Sequence, residues 1–372
     1  MKFLDLDKQQ QTIKKSLDQR IKNVLKESRY IMGPEVSELE KSLKDFSEVK
    51  YALTCASGTD ALILALLALN IGSGDVVFCP SFTFPATAEA IVITGAKPVF
   101  IDVGIDTCNI CYDHLVESIK KFNHKGLIPK AIIAVDLYGL PANYEKLSRI
   151  SSKYNLKVIS DAAQSYGGSY NNKRVGSLAD ITCTSFFPAK PLGCYGDGGA
   201  IFTDDKAIKE KIESLRSHGK GKTKYEIVDV GLNSRLDTIQ AAILLSKLEI
   251  FEWENKEKDR LAKIYDNQIN DFYKKPFIPK NSCSAWAQFT LQTSKRDKVI
   301  SFLKGANIPT MIYYPVPMHR QPAYIKYISD KAQLPNSEKL AAQVFSIPIH
   351  PYLSEIEQEY IIDNLNKASK LL

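Results

Sequence analysis

Along the first two hundred residues, short apolar runs alternate with longer stretches in which apolar residues return every three or four positions. The runs Tyr51–Cys55, Val76–Cys79, Pro98–Ile101, Ala131–Val135, Lys157–Ser160, Ile181–Phe186 and Gly199–Phe202 read as buried strands. Helical spacing predicts helices from about Thr12 to Lys26, over Glu35–Phe46 behind Pro34, over Ala61–Leu69, and through a long stretch ending near Leu248. Strand followed by helix, repeated, predicts a largely parallel sheet with helices on both faces and with chemistry in the loops at the strand ends. From about Phe251 the pattern changes to a charged helix and then to proline-punctuated segments, with a last helix over Ser354–Leu371. The chain therefore divides into a large domain, residues 1–250, and a smaller α+β domain, residues 251–372, with the boundary inside the helical Arg235–Asn267 region.

Composition narrows the class. With 372 residues, 44% hydrophobic and 24% charged, the chain has the makeup of a soluble globular protein able to bury a large core. The opening segment has no apolar run behind its basic residues, and no stretch is long and uncharged enough to span a bilayer, so a cytoplasmic protein is expected, not a secreted or membrane one. The seven cysteines are an odd number, which suits a reducing compartment. Cys108 and Cys111 make the one CxxC spacing, and His114 alone does not complete a zinc set, so no metal site is expected. A net charge of +7 helps attract an anionic substrate, and no nucleic-acid-binding motif accompanies it.

The chemistry concentrates in four places. In Thr184–Ala200, TSFFPAKPLGCYGDGGA, Lys190 sits among Phe186, Phe187, Pro188, Pro191 and Leu192. Apolar company lowers an ammonium pKa and favours the free amine, which condenses with an aldehyde, so Lys190 reads as a Schiff-base lysine for pyridoxal phosphate; a surface lysine in a turn is the plainer alternative. Ser57-Gly58-Thr59 joins a strand to a helix, a geometry that offers free N–H groups and hydroxyls to a phosphate but that also serves as a simple helix cap. Phe84, in the loop after Pro80, is placed to cover a flat ring. Asp161 follows an apolar strand and suits a protonated pyridine nitrogen, with Gln164 close behind for a ring oxygen. Gly219–Thr223 superficially suggests a phosphate loop, yet Arg216 stands where glycine is needed and no strand leads into it.

These segments, with GPEVSELE at Gly33–Glu40, PSFTFPATAEAI at Pro80–Ile91, DAAQS at Asp161–Ser165 and NSRLDTIQAA at Asn233–Ala242, resemble the DegT/DnrJ/EryC1/StrS sugar aminotransferases over essentially the whole chain. The resemblance implies an aspartate-aminotransferase-like α/β fold (fold type I) that uses pyridoxal 5'-phosphate and, between half-reactions, pyridoxamine 5'-phosphate. It implies Lys190 as the aldehyde-bonding lysine and proton carrier, Asp161 on the pyridine nitrogen, Gln164 near the ring hydroxyl and Phe84 stacked on the ring. Ser57, Gly58, Thr59 and Ser185 would hold the phosphate. Asn233 would reach the cofactor of a second subunit, making a homodimer with shared sites.

KPLGCYGDGGAIFT most resembles the branch that aminates UDP-2-acetamido-2-deoxy-3-oxo-glucuronate at C3, with L-glutamate as donor, for a surface polysaccharide such as an O-antigen. Arg235 would then pair with the sugar carboxylate, and Tyr313 and Tyr314 would contact the sugar. The alternatives are another UDP- or dTDP-linked 3-keto or 4-keto deoxysugar and, in a different class, a non-catalytic regulatory protein that binds the cofactor. Two departures stand out: Ser160 where glutamate is common in the family, and Tyr313 where histidine is expected in the uronate branch.

Overall fold

The computed structural model describes residues 1–122, 126–223, 225–328 and 333–371. Its strands are β1 Tyr51–Cys55, β2 Asp75–Pro80, β3 Lys97–Ile101, β4 Ile128–Val135, β5 Lys157–Asp161, β6 Ser169–Tyr170, β7 Lys173–Arg174, β8 Ile181–Ser185, β9 Gly199–Thr203, β10 Ser282–Cys283, β11 Phe289–Gln292 and β12 Val344–Ile347. The helices are α1 Leu6–Glu27, α2 Pro34–Ser47, α3 Gly58–Ala68, α4 Pro85–Ile93, α5 Tyr112–Lys121, α6 Tyr144–Tyr154, α7 Lys206–Leu215, α8 Thr238–Gln268, α9 Arg296–Gly305, α10 Pro335–Gln343 and α11 Glu355–Leu371.

A seven-stranded sheet in the order β1-β9-β8-β5-β4-β2-β3 forms the centre. Only the β9 pairings in it are antiparallel; β8, β5, β4, β2 and β3 run parallel, as the alternation of strand and helix requires. Both faces are covered. On one, α3 and α4 bury Leu62, Leu64 and Ile91 against Val77, Ile133, Ile159 and Ile201. On the other, α5 and α6 bring Leu115 and Leu147 against Phe78, Ile132 and Val158. Every residue of α3 from Ala61 to Leu66 is buried, because the helix lies between the sheet and the flanking α4 and α7.

α1 begins earlier than the spacing predicts. Its first turns, LDKQQQ, carry no apolar repeat, and the start is fixed instead by Asp5, whose side chain accepts the Lys8 N–H at 3.2 Å. At the other end of the large sheet, α8 runs on through Gln268, its first half packed under β9 and α2 through Leu244 and Phe251. Its second half enters a separate cluster through Leu261, Ala262 and Tyr265, beside β11, β12, α9 and α11. The buried face of α8 thus passes from one apolar cluster to the other between Phe251 and Leu261. Among the described residues no helix is long and apolar enough to cross a membrane.

One buried ion pair fixes the strand that leads to the Ser57 turn. Arg216, 4% exposed, donates from one guanidinium nitrogen to Glu40 Oε1 at 2.5 Å and to the Thr54 carbonyl at 2.7 Å. Glu40 Oε1 also accepts the Thr54 N–H and hydroxyl, at 2.8 and 2.9 Å. Removing Arg216 leaves the part-buried Glu40 carboxylate unpaired, so Arg216→Met should lower unfolding free energy by about 2 kcal/mol in a denaturant titration. A loss below about 1 kcal/mol would show that the pair does not hold β1 in place.

Candidate active site

The C-terminal ends of β5 and β8 lie side by side, with Asp161 paired in register with Cys183, so the loops after both strands leave the sheet together. The β5 end carries Asp161, and the loop after β8 carries Lys190, held in a turn by its N–H on the Phe187 carbonyl at 2.8 Å. β1 ends on the same side. There the Ser57–Gly58 turn packs so closely on the β8 end that a Cβ on Gly58 would meet Ser185 Cβ at 2.6 Å. Only glycine allows that approach.

These loops enclose a cavity of about 390 Å³. Ser57, Gly58, Thr59, Phe84, Asp161, Gln164, Ser185, Lys190, Tyr313 and Tyr314 all line it. Asn233 and Arg235 do not. They line a second cavity of about 420 Å³ with Ile31, Gly196 and Gln240, and Asp197 borders both spaces. Arg235 donates to Asn233 Oδ1 at 2.5 Å, while its buried Nε has no partner.

The electrostatics follow from burial. Burial pushes the Lys190 ammonium below the usual lysine range, and the nearby Asp161 charge partly opposes this. The carboxyl of Asp161, 7% exposed, is pushed up by burial and held down by the Thr87 hydroxyl, the Lys190 charge and the Ala163 N–H. Thr87 Oγ1 donates to Asp161 Oδ2 at 2.8 Å, and Thr83 and Thr87 hydroxyls meet at 3.1 Å, so α4 orients the carboxylate. Gln164 is committed at both ends: Oε1 accepts the Tyr138 N–H at 2.6 Å, and Nε2 donates to the Tyr314 hydroxyl at 3.0 Å. One Nε2 hydrogen remains for a ligand.

The donor set fits pyridoxal phosphate. Ser57 Oγ accepts the Asp60 N–H at 3.0 Å and Ser185 Oγ the Phe187 N–H at 3.3 Å, which leaves both hydroxyl hydrogens for an anion at the start of α3. Asp161 offers a buried carboxylate for a ring N–H, Lys190 an amine for an aldehyde, and Phe84 a ring on the cavity wall, its centroid 6.0 Å from that of Tyr314.

Thr87, Asp197, Phe187 and Gln288 also belong to the lining or its support and escaped the sequence reading. Of these, Thr87 left a signal, since it lies one helical turn after Thr83 behind a helix-starting proline. The Ser160 hydroxyl lies 3.5 Å from Oδ2 of Asp136, which follows the neighbouring strand.

The comparisons with known proteins agree with this geometry. UDP-2-acetamido-2-deoxy-3-oxo-D-glucuronate aminotransferase of Pseudomonas aeruginosa is 47% identical over 354 residues, covering 95% of this chain and 96% of its own. The crystal structure of a DegT/DnrJ/EryC1/StrS aminotransferase from Brucella abortus aligns with a TM-score of 0.95 at 46% identity, over 99% of each chain. NtdA of Bacillus subtilis, solved with its bound cofactor pyridoxamine phosphate, aligns at 0.89 and 28% identity over 96% of this chain and 82% of its own. The DegT/DnrJ/EryC1/StrS family itself matches residues 11–366. With a family match of that extent, and with Lys190, Asp161 and the Ser57–Thr59 turn lining one cavity, the chain belongs to the DegT/DnrJ/EryC1/StrS aminotransferase family and is a pyridoxal-phosphate-dependent aminotransferase.

Proposed function

We propose that the protein moves an amino group from L-glutamate to C3 of UDP-2-acetamido-2-deoxy-3-oxo-glucuronate, supplying an aminosugar for a surface polysaccharide such as an O-antigen. The observation that carries the reading is the convergence of a desolvated Lys190 and a buried Asp161 on one cavity, in a chain 47% identical to an enzyme named for that substrate. Pyridoxal phosphate, when bound, supplies the aldehyde that takes up the amino group and the electron-poor ring that makes the neighbouring C–H acidic. Asp161 would hold a proton on the ring nitrogen. Lys190 would hold the aldehyde at rest and, as a free amine, would move a proton at the donor carbon as general base and then acid. Its lowered pKa supports that role, because a larger share of the amine is free near neutrality.

The second cavity supports a shared site. Asn233 and Arg235 do not line the Lys190 cavity of their own chain, and exposed apolar side chains border both spaces: Ile31, flanked in sequence by Tyr30 and Met32, on one, and Phe84 and Phe187 on the other. In a homodimer, Asn233 would approach the partner's cofactor phosphate, and the unpaired Arg235 Nε would find the uronate carboxylate there, where a planar guanidinium binds bidentately. Seven free cysteines support a cytoplasmic location.

Two experiments test this reading. Mixing a Lys190→Ala chain with an Asn233→Ala chain should restore about a quarter of wild-type activity, since half the dimers are mixed and each then holds one complete site. No recovery above the separate variants would mean that Asn233 serves its own chain. In the second, enzyme in its amine form should recover the visible absorbance of the aldehyde form on mixing with the 3-oxo-uronate nucleotide. Arg235→Ala should slow that return about tenfold at low sugar and leave a neutral 3-keto analogue unaffected. Recovery only with 4-keto sugars would contradict the substrate, and an equal loss on both sugars would contradict the arginine's role.

A further inference from the structure

Behind the cavity lies a buried carboxyl to which the mechanism gives no task. Asp136, fully buried, follows β4, and its backbone N–H donates to the Asp161 carbonyl at 3.1 Å. Its Oδ1 accepts the Ala142 N–H and the Tyr144 hydroxyl, both at 2.8 Å, and its Oδ2 accepts the Ser165 hydroxyl at 2.8 Å. Tyr144 in turn reaches Ser160 Oγ at 2.5 Å. One side chain therefore ties the loop after β4 to the loop after β5. The first loop holds Tyr138, whose N–H fixes Gln164; the second holds Asp161 and Gln164 themselves.

The two oxygens of Asp136 accept from three neutral donors, yet a buried carboxylate without a cation is costly. The ionisable groups facing Asp136 are Tyr144, Tyr112 and Asp161, none of which is cationic. Burial pushes its carboxyl up to about 7, against the Ala142, Ser165 and Tyr144 hydrogen bonds and with the Asp161 charge adding to the rise. A cost of that kind is retained where the charge serves the chemistry.

We propose that Asp136 is a positioning residue for the transamination: it locks the Tyr138 loop to the segment that carries Asp161 and Gln164 and, when ionised, sets a second negative charge behind Asp161. The proposal rests on the cofactor roles assigned above. Its effect is on the protonation of the bound cofactor and on turnover, with the sugar and donor still reached normally.

The test uses the cofactor-loaded enzyme. Asp136→Asn keeps the size and one acceptor while removing the charge, and a negative charge near the cofactor favours its protonated form. The pH midpoint of the bound cofactor's visible band should therefore fall by roughly half a unit or more, with kcat down about tenfold and KM for either substrate within about twofold. Ser165→Ala cuts the tie to the β5 loop and keeps the charge; it should lower kcat several-fold and leave the midpoint in place. Thermal unfolding of each variant reports folding independently. Unchanged midpoint and kcat in Asp136→Asn, with only thermal stability reduced, would overturn the proposal and leave Asp136 a structural residue. A wild-type protein that shows no visible band would instead refute the cofactor reading on which it rests.

Discussion

The structure turns on the cost of removing an amine and a carboxylate from water in the same small space. Burial drives Lys190 toward its neutral form and Asp161 toward its protonated one, and each is partly restrained by the other's charge. The rest of the large domain serves to hold that pair. Parallel β5 and β8 end together, α4 supplies the Thr87 hydroxyl that keeps Asp161 oriented, and the Arg216–Glu40 pair fixes the strand leading to the Ser57 turn.

Burial alone does not make a reactive lysine, as two other lysines show. Lys247 and Lys258 are buried deeper than Lys190, and burial pulls both down to about 8, against the charge of Glu254. Lys258 spends its amine on the Ala285 carbonyl at 2.8 Å, and Lys247 lies 4.6 Å from the centre of the Tyr195 ring. Lys190 differs in facing a cavity lined with an acid, hydroxyls and an aromatic ring. Access to that set, and not the shift by itself, separates a nucleophile from a packed structural amine.

The sheet was legible in the sequence because a fully buried strand needs an unbroken apolar run, and the seven runs correspond to the seven strands of the main sheet. Ser57, Gly58, Thr59, Phe84, Asp161, Gln164 and Lys190 were legible from loops that carry chemistry at strand ends, and Ser185, Tyr313 and Tyr314 from the family resemblance; all ten line the cavity. What remained hidden depends on contacts between distant segments. Thr87 reaches Asp161 across 74 positions, and Asp136 reaches Ser165 across 29; neither has a local pattern to mark it. The polar start of α1 was hidden for a different reason, because a capping aspartate and not an apolar face begins that helix. Arg235 lies elsewhere: in one chain it borders the neighbouring cavity and not the one that holds Lys190.

Because three lysines share a lowered pKa, the most direct measurement is to load the protein with pyridoxal phosphate, reduce it with borohydride and map the modified peptide by mass spectrometry. A single cofactor-sized mass on Lys190, with loss of activity in proportion, is the result this account predicts. A label on Lys247 or Lys258, or no label with activity intact, would contradict it.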